Sequence, residues 1–217
     1  MATRARERLL DAAEDLFYAE GIRAVGVERI LSVSGVGRAS FYRHFPSKDD
    51  LVVAVLRRRD EQWRAWLQER VDALGGEPLN VFDALAERFA RADFRGCAFI
   101  NTMIETADPE SAAHRVAAEH KERVRAYVAE LIEQDRRGQR DKGNRRDEGE
   151  RRDEGEWRQD GRGAGGEVPV LADELARLFV MLVDGAIVTA VRERTTEPAR
   201  RARVAAAALL ATAGSAV

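Results

Sequence analysis

An all-α fold that opens on a helix-turn-helix is what this sequence predicts, and three observations carry the prediction. Residues 21–50 hold two short helical patterns, each too small to form a core alone, joined at Ser34-Gly35-Val36 by a turn in which glycine takes a positive φ without steric cost. Helix-start signals recur downstream, at Pro46-Ser47-Lys48-Asp49-Asp50 and again at Asp108-Pro109-Glu110. Two apolar runs at helical spacing follow toward the C-terminus.

The first helix is expected from residue 3 or 4 to Glu20. Leu9, Ala12, Ala13, Leu16 and Phe17 form its apolar stripe, Arg4, Arg6 and Arg8 load its start with positive charge, and Gly21 supplies a C-terminal cap. In the second helix Val27, Ile30 and Leu31 recur at i, i+3, i+4. In the third, Val36, Phe41 and Phe45 are the anchors, which leaves Arg38, Ser40, Tyr42, Arg43 and His44 largely outward. From Gly21 to Lys48, five cations (Arg23, Arg29, Arg38, Arg43, Lys48) against Glu28 make a local balance of +4 in a chain of formal net charge −2. A cationic helix attracts phosphates and fits the major groove of B-DNA. A charge run alone would mean only a solvated face, but here turn glycine, anchors, aromatics and basic residues agree.

Residues 35–51, GVGRASFYRHFPSKDDL, resemble the end of the DNA-binding domain of the TetR/AcrR family of bacterial transcriptional regulators. The likeness reaches back through RERLLDAAEDLFYAEGIRAV to about Arg4, and the spacing Phe41-Tyr42-x-His44-Phe45-x-x-Lys48 carries it. Two positions depart from the family. Gly26 stands where Ser or Thr usually caps the first short helix, and Ala39 stands where glycine is frequent. The resemblance implies a double-stranded operator DNA partner, with Arg38, Ser40 and Tyr42 at base edges or the adjoining backbone and Arg43, His44 and Lys48 on phosphates. It further implies a repressor released by a partly apolar small-molecule effector, and a homodimer paired through the last two helices, about 170–194 and 196–213. Residues 1–46 would be the DNA-binding domain, and 47–217 an α-helical effector-binding and dimerisation domain.

The fourth helix starts with Ser47 as N-cap and Asp50 completing a box-like arrangement. Leu51, Val52, Val55, Trp63, Trp66, Leu67, Val71 and Leu74 carry it to Gly75-Gly76, about 27 residues or roughly 40 Å at 1.5 Å per residue. It leaves the first bundle and enters a second body. After Glu77-Pro78, Val81, Phe82, Leu85 and Phe89 mark a helix to about Phe94, which Arg95-Gly96 breaks. The run CAFINTMIETAD is apolar nearly all round and reads as a short buried helix. Asp108 as cap, Pro109 at the first helical position and Glu110 near the positive dipole end then start a helix bearing Val116, His120, Val124, Tyr127, Val128 and Leu131, expected to end near Asp135.

From 136 to 166 the composition changes. RRDEGE occurs twice in tandem, the apolar side chains are Trp157 and Ala164, and ten basic residues largely cancel eight acidic ones. So little can be buried that a disordered, solvated insertion is expected. A helical excursion is opposed by Gly138, Gly143, Gly149, Gly155 and Gly161, and a nucleic-acid-binding tail by the charge cancellation. Order is expected to resume at Pro169. Leu171, Leu175, Leu178, Phe179, Leu182, Ala186, Val188 and Val191 give a helix to about Arg194, and residues 196–210 another, with Val204, Ala208 and Leu209 inward.

Composition narrows the function. With 45% hydrophobic residues a substantial core is permitted. No apolar run approaches the roughly 20 residues of a membrane span, and the N-terminus is charged where a secretory signal is apolar, so a cytoplasmic protein is expected. The single cysteine, Cys97, rules out an intrachain disulfide and suits a reducing compartment; beside Phe99 and Ile100 it reads as a small core residue, with redox sensing the alternative. His44, His114 and His120 are not spaced as metal ligands. There is no G-x-S-x-G elbow, no Gly-rich phosphate loop and no matched acid/base pair of carboxylates, so no catalytic residue, metal or cofactor is assigned and the protein is expected not to be an enzyme. Aromatic and apolar residues of several helices converge instead on an effector pocket: Trp63, Leu67, Phe89, Phe99, Met103, Ile104, Tyr127 and Phe179, with the polar Asn101, Glu105, His120 and Asp184 among them. Competing classes are an all-α enzyme or carrier with an incidental basic hairpin, and a structural DNA-coating protein.

Overall fold

The computed structural model describes residues 2–154 and 168–215. α1 (Ala2–Glu20) stops where the sequence indicates: Gly21 takes a φ of +91° and its N–H donates to the Phe17 carbonyl at 3.1 Å. α2 (Val27–Ser34) and α3 (Arg38–His44) meet at Gly35, in the left-handed conformation at φ +61°, with its N–H on the Leu31 carbonyl at 2.9 Å. A side chain there would also lie 2.5 Å from the Arg8 guanidinium. Gly26 and Gly37 precede the two short helices and give them no side-chain cap. Helices of eight and seven residues are marginal alone. Their stability comes from a shared core in which Leu9, Leu10, Ala13, Val25, Ile30 and Phe41 are buried.

α4 (Lys48–Ala73) begins as expected, the Ser47 hydroxyl accepting the Asp50 N–H at 3.1 Å and donating to the Asp50 carboxylate at 2.7 Å. The first core does not close at residue 46. It takes in Leu51, Val52, Val55 and Leu56 of α4, while Leu67 and Val71 at the other end of the same helix belong to a second core with Phe82, Leu85, Ile132 and Phe179. One continuous helix therefore carries both cores.

α5 (Asn80–Phe89) is shorter than its pattern. Phe94 lies beyond its end, in the connection, and still packs on Phe89 with ring centroids 4.9 Å apart. α6 (Ala98–Thr106) is not wholly buried: Phe99 and Thr102 are, but Ile104 is 72% exposed. The hydroxyls of Thr102 and Thr106 donate back to the carbonyls of Ala98 and Thr102 at 2.7 and 2.8 Å, which lets threonine sit on this helix without unmet donors.

α7 (Ala112–Glu154) departs from the sequence expectation at both ends. Asp108 does not cap it. Its carboxylate accepts the Glu110 N–H at 2.9 Å and closes a turn, and Ser111 accepts the His114 N–H at 3.1 Å instead. Nor does the helix end near Asp135. The stretch 136–154, expected to be disordered, is helical. The physical reason is local: once the packed part has nucleated the helix, each further residue adds a backbone hydrogen bond, against a cost of about 1 kcal/mol per glycine. Glu133 pairs with Arg137 and Asp135 with Gln139 one turn on, and Arg136 donates to the Ala213 carbonyl at 3.1 Å. The remainder of the insertion, from 155, lies outside the described residues.

α8 (Val168–Glu193) and α9 (Glu197–Ser215) complete the second core through Ala172, Phe179, Val183 and Ala190 of α8 and Ala199, Ala202 and Ala206 of α9. Val204 and Ala208, expected inward, are exposed. Ala199, Ala202 and Ala206 pack on the second core, which turns Val204 outward, and Arg203 beside them reaches the Asp83 carboxylate of α5 at 3.0 Å. Among the described residues no helix is long and apolar enough to cross a membrane.

Candidate DNA-binding face and internal cavity

α3 is held by its aromatic residues. Phe41 is buried, packs edge-on against Tyr42 at 5.1 Å and lies 6.1 Å from Phe45, so the backbone cannot rotate without opening the core. That rotation places Arg38, Tyr42 and Arg43 in solvent and Ser40 and His44 half-buried beside them. Arg38 is not unengaged. It forms an ion pair with Glu28 of α2. Both side chains are exposed, so a phosphate or base competes with a pair worth about 1 kcal/mol or less. Lys48 is half-buried and donates from Nζ to the Ile22 carbonyl at 2.6 Å, tying the start of α4 to the α1–α2 connection. The six expected residues thus share one end of the molecule, with Lys48 already spending one of its three donors internally.

The twelve residues assigned to a pocket are divided among three places and the core. Trp63, Phe89, Phe99, His120 and Asp184 line one cavity, together with Arg59, Arg88, Phe94, Lys121 and Val183. Its unfilled space, mouth included, is about 530 Å³, of which about 30 Å³ can hold the centre of a water molecule. Trp63 also borders an open groove between α4 and α7, with Leu67 and Tyr127, whose unfilled space on the same measure is about 550 Å³, of which about 200 Å³ can hold the centre of a water molecule. The Tyr127 hydroxyl is buried without a protein partner, and burial followed by the charges of Asp72 and Glu130 pushes its pKa up to about 12. Asn101 and Glu105 face a separate cleft against α1. Phe179 is wholly buried against Phe82, Met103 packs on the first core, and Ile104 faces solvent.

Behind the cavity wall His120 joins a polar cluster with Asp60, Arg64 and Arg123, of which periodicity singles out His120 alone. His120 and Asp60 are each 2% exposed. His120 Nδ1 lies 2.8 Å from Asp60 Oδ1, Arg123 donates to Oδ2 at 2.8 Å, and Arg64 Nε reaches both oxygens at 3.1 Å. Burial works to raise the Asp60 carboxyl, but the hydrogen bonds of Arg64 and His120 outweigh it and its pKa falls. Burial lowers His120 to about 4 against the opposing bond to Asp60, so the ring is neutral at pH 7. An ionised Asp60 only accepts, hence Nδ1 carries the proton and Nε2 is left as an acceptor. Phe99 stacks on this ring at 3.6 Å and Trp63 meets it edge-on at 5.0 Å. Asp60 is hidden within the charged run 57–61. Its spacing from Leu56 and Leu67, i+4 and i−7, is the signal that places it on the buried face.

The unfolded chain protonates His120 near its ordinary 6.5 and the folded chain near 4. Between those values only the unfolded state takes the proton, so stability is full above about pH 6.5 and falls as the pH drops, by an upper bound of roughly 3 kcal/mol. Melting temperatures measured from pH 7.5 to 4.5 should decline in the wild type and decline less in His120→Gln. Parallel curves would show that His120 is not the titrating group.

Three contacts connect the cavity to the first helices. Arg59, on its wall, holds Glu14 of α1 at 3.0 Å and lies 4.2 Å over the Tyr18 ring. The Tyr18 hydroxyl donates to the Gly96 carbonyl at 3.1 Å and accepts the Arg95 N–H at 2.8 Å, next to cavity-lining Cys97. Phe99 belongs to the first core and lines the cavity as well. Among the described residues no cluster of three or more His, Cys, Asp or Glu is placed to hold a metal.

A short cationic helix, presented behind a glycine turn by a bundle with its own core, defines a helix-turn-helix protein. Residues 9–55 match the description "Bacterial regulatory proteins, tetR family". Over its whole length the chain is similar to a TetR-family transcriptional regulator from Streptomyces coelicolor, at 28% identity and a TM-score of 0.72, covering 97% of this chain and 96% of that one. It shares its fold with a regulatory protein TetR from Rhodobacter sphaeroides, at 23% identity and a TM-score of 0.65 over 93% and 96% of the two chains. It is 27% identical over 105 residues, 46% of this chain, to an uncharacterized HTH-type transcriptional regulator of Lactococcus lactis, spanning about half (54%) of that protein's length. Residues 9–55 thus match the N-terminal domain of TetR-family regulators, and the chain as a whole is similar in its all-α fold to solved TetR-family proteins.

Proposed function

We propose that the protein is a sequence-specific transcriptional regulator, a homodimeric repressor that leaves its operator when a small molecule occupies the cavity of the second core. The observation that carries this reading is the exposed face of α3, with Arg38, Tyr42 and Arg43 outward on a helix locked by buried Phe41. DNA recovered by selection from random sequence should contain a palindrome, and a salt-titrated comparison of that palindrome with random DNA tests the proposal. Arg43→Ala should weaken both equally and lower the salt slope by about one unit, because a phosphate contact positions without reading sequence. Tyr42→Ala should reduce mainly the preference for the palindrome. Equal affinity of the wild type for both DNAs would sink sequence-specific regulation.

Effector binding is expected to act through α4 and through the Arg59–Glu14 and Tyr18–Arg95 contacts. In a symmetric dimer two recognition helices enter successive major grooves about 34 Å apart, so a small displacement of each spoils joint engagement. Linkage then requires that DNA weaken effector binding by the same factor as effector weakens DNA binding.

A further inference from the structure

We propose that the cavity lined by Trp63, Phe89 and Phe99 takes a monovalent organic anion, a carboxylate on an aromatic or branched apolar body, and that Arg88 binds the carboxylate. This rests on the effector reading above and names its chemical class. Four charged side chains line the cavity. Arg59 is paired with Glu14, and Lys121 with Asp184. Arg88 is different. Among the described residues its guanidinium has no hydrogen bond or ion pair; the guanidinium carbon lies 5.6 Å from the Trp66 ring, and the side chain also borders an adjoining groove with Glu14. Burial, and then the like charges of Arg59 and Arg91, lower its pKa and outweigh the opposing effects of Tyr18 and Asp93. A half-buried cation beside another cation is stabilised by an anion, and a guanidinium fork matches one carboxylate bidentately.

The rest of the wall specifies the remainder of the ligand. Trp63, Phe89, Phe94 and Phe99 offer aromatic faces, and Val183 and Ile187 an apolar floor, so the body is apolar. Asp184 repels a second negative charge and only one guanidinium is free, so the charge is single. His120 Nε2, unprotonated, accepts a hydrogen bond if the body carries a donor. Space for about two waters is too little for such a molecule. Binding must therefore open the cavity, whose wall carries the contacts to α1.

The probes are 3-phenylpropionate, indole-3-acetate and 4-methylpentanoate, each set against its primary amide, titrated calorimetrically into the full-length protein without DNA. At least one acid should bind, with its amide weaker by about tenfold or more, as expected for loss of a charge-assisted bidentate contact. Arg88→Gln should reduce acid binding by about the same factor and change amide binding far less, while Arg137→Gln, whose exposed guanidinium pairs with Glu133 away from the cavity lining, should alter neither. Melting curves confirm that each variant folds. Equal binding of acid and amide, wild-type acid affinity in Arg88→Gln, or no binding by any of the six compounds would overturn the proposal. DNA release is read separately: acids that bind through Arg88 without weakening DNA binding refute the allosteric reading and leave this one standing, whereas neutral compounds that release DNA do the reverse.

Discussion

The double substitution Met181→Glu, Val188→Glu is expected to yield a folded monomer that no longer binds a palindromic site at concentrations where the wild type saturates it. Met181 is 69% exposed and Val188 58% exposed, and with Leu178 and Val191 they form a stripe at helical spacing along α8. Exposed Gly185 lies on the same stripe with open space around it, which permits close approach of another helix. Covering each of these side chains is worth about 1.5–3 kcal/mol, and a two-fold axis would set the introduced glutamates against their own copies. Losing the second half-site removes an avidity of about 10²–10⁴. Light scattering after size exclusion gives the mass, and a binding titration gives the affinity. A dimer that survives both glutamates would show that the pairing surface lies elsewhere.

Asp60→Ala is expected to destabilise the fold by about 3–5 kcal/mol, a large share of the 5–15 kcal/mol typical of a domain. The carboxylate accepts from His120, Arg123 and Arg64, and with its removal a 2% exposed imidazole keeps a donor with no acceptor. Asp60→Asn, which retains one acceptor oxygen, should cost less. The double variant Asp60→Ala, His120→Leu should recover part of the loss, because an apolar pair replaces an orphaned polar one. Urea unfolding provides the comparison. A midpoint for Asp60→Ala within error of the wild type would mean that the cluster contributes no net stability.

The two predictions draw on parts of the molecule that were unequally legible in the sequence. The helix-turn-helix could be read almost residue by residue: Gly35 at its positive φ, Phe41 and Phe45 inward, Arg38, Tyr42 and Arg43 outward. Of the pocket, five of the twelve expected residues share the cavity. The others separated because apolar character marks a residue for burial without saying against what, so Phe179 joined the core, and on short α6 Ile104 turned to solvent. Arg59 and Arg88 carry no such mark, because arginines on amphipathic helices ordinarily face water.

What the sequence determined by itself was local: the helical class, the glycine stops after α1 and α2, the Ser47 cap and span of α4, and the outward face of α3. Each depends on side chains within a turn or two along the chain, where periodicity and capping chemistry act. Tertiary structure alone decided the rest. It chose which face of alanine-rich α9 points inward, a choice that periodicity leaves open when every face is small and that the packing of Ala199, Ala202 and Ala206 on the second core settles. It joined Asp60 to His120 across 60 positions and Arg59 to Glu14 across 45, and it left Arg88 beside a cavity with no carboxylate of its own. A buried charge is stabilised by whichever distant group the packing brings to it, and no spacing along the chain encodes that group.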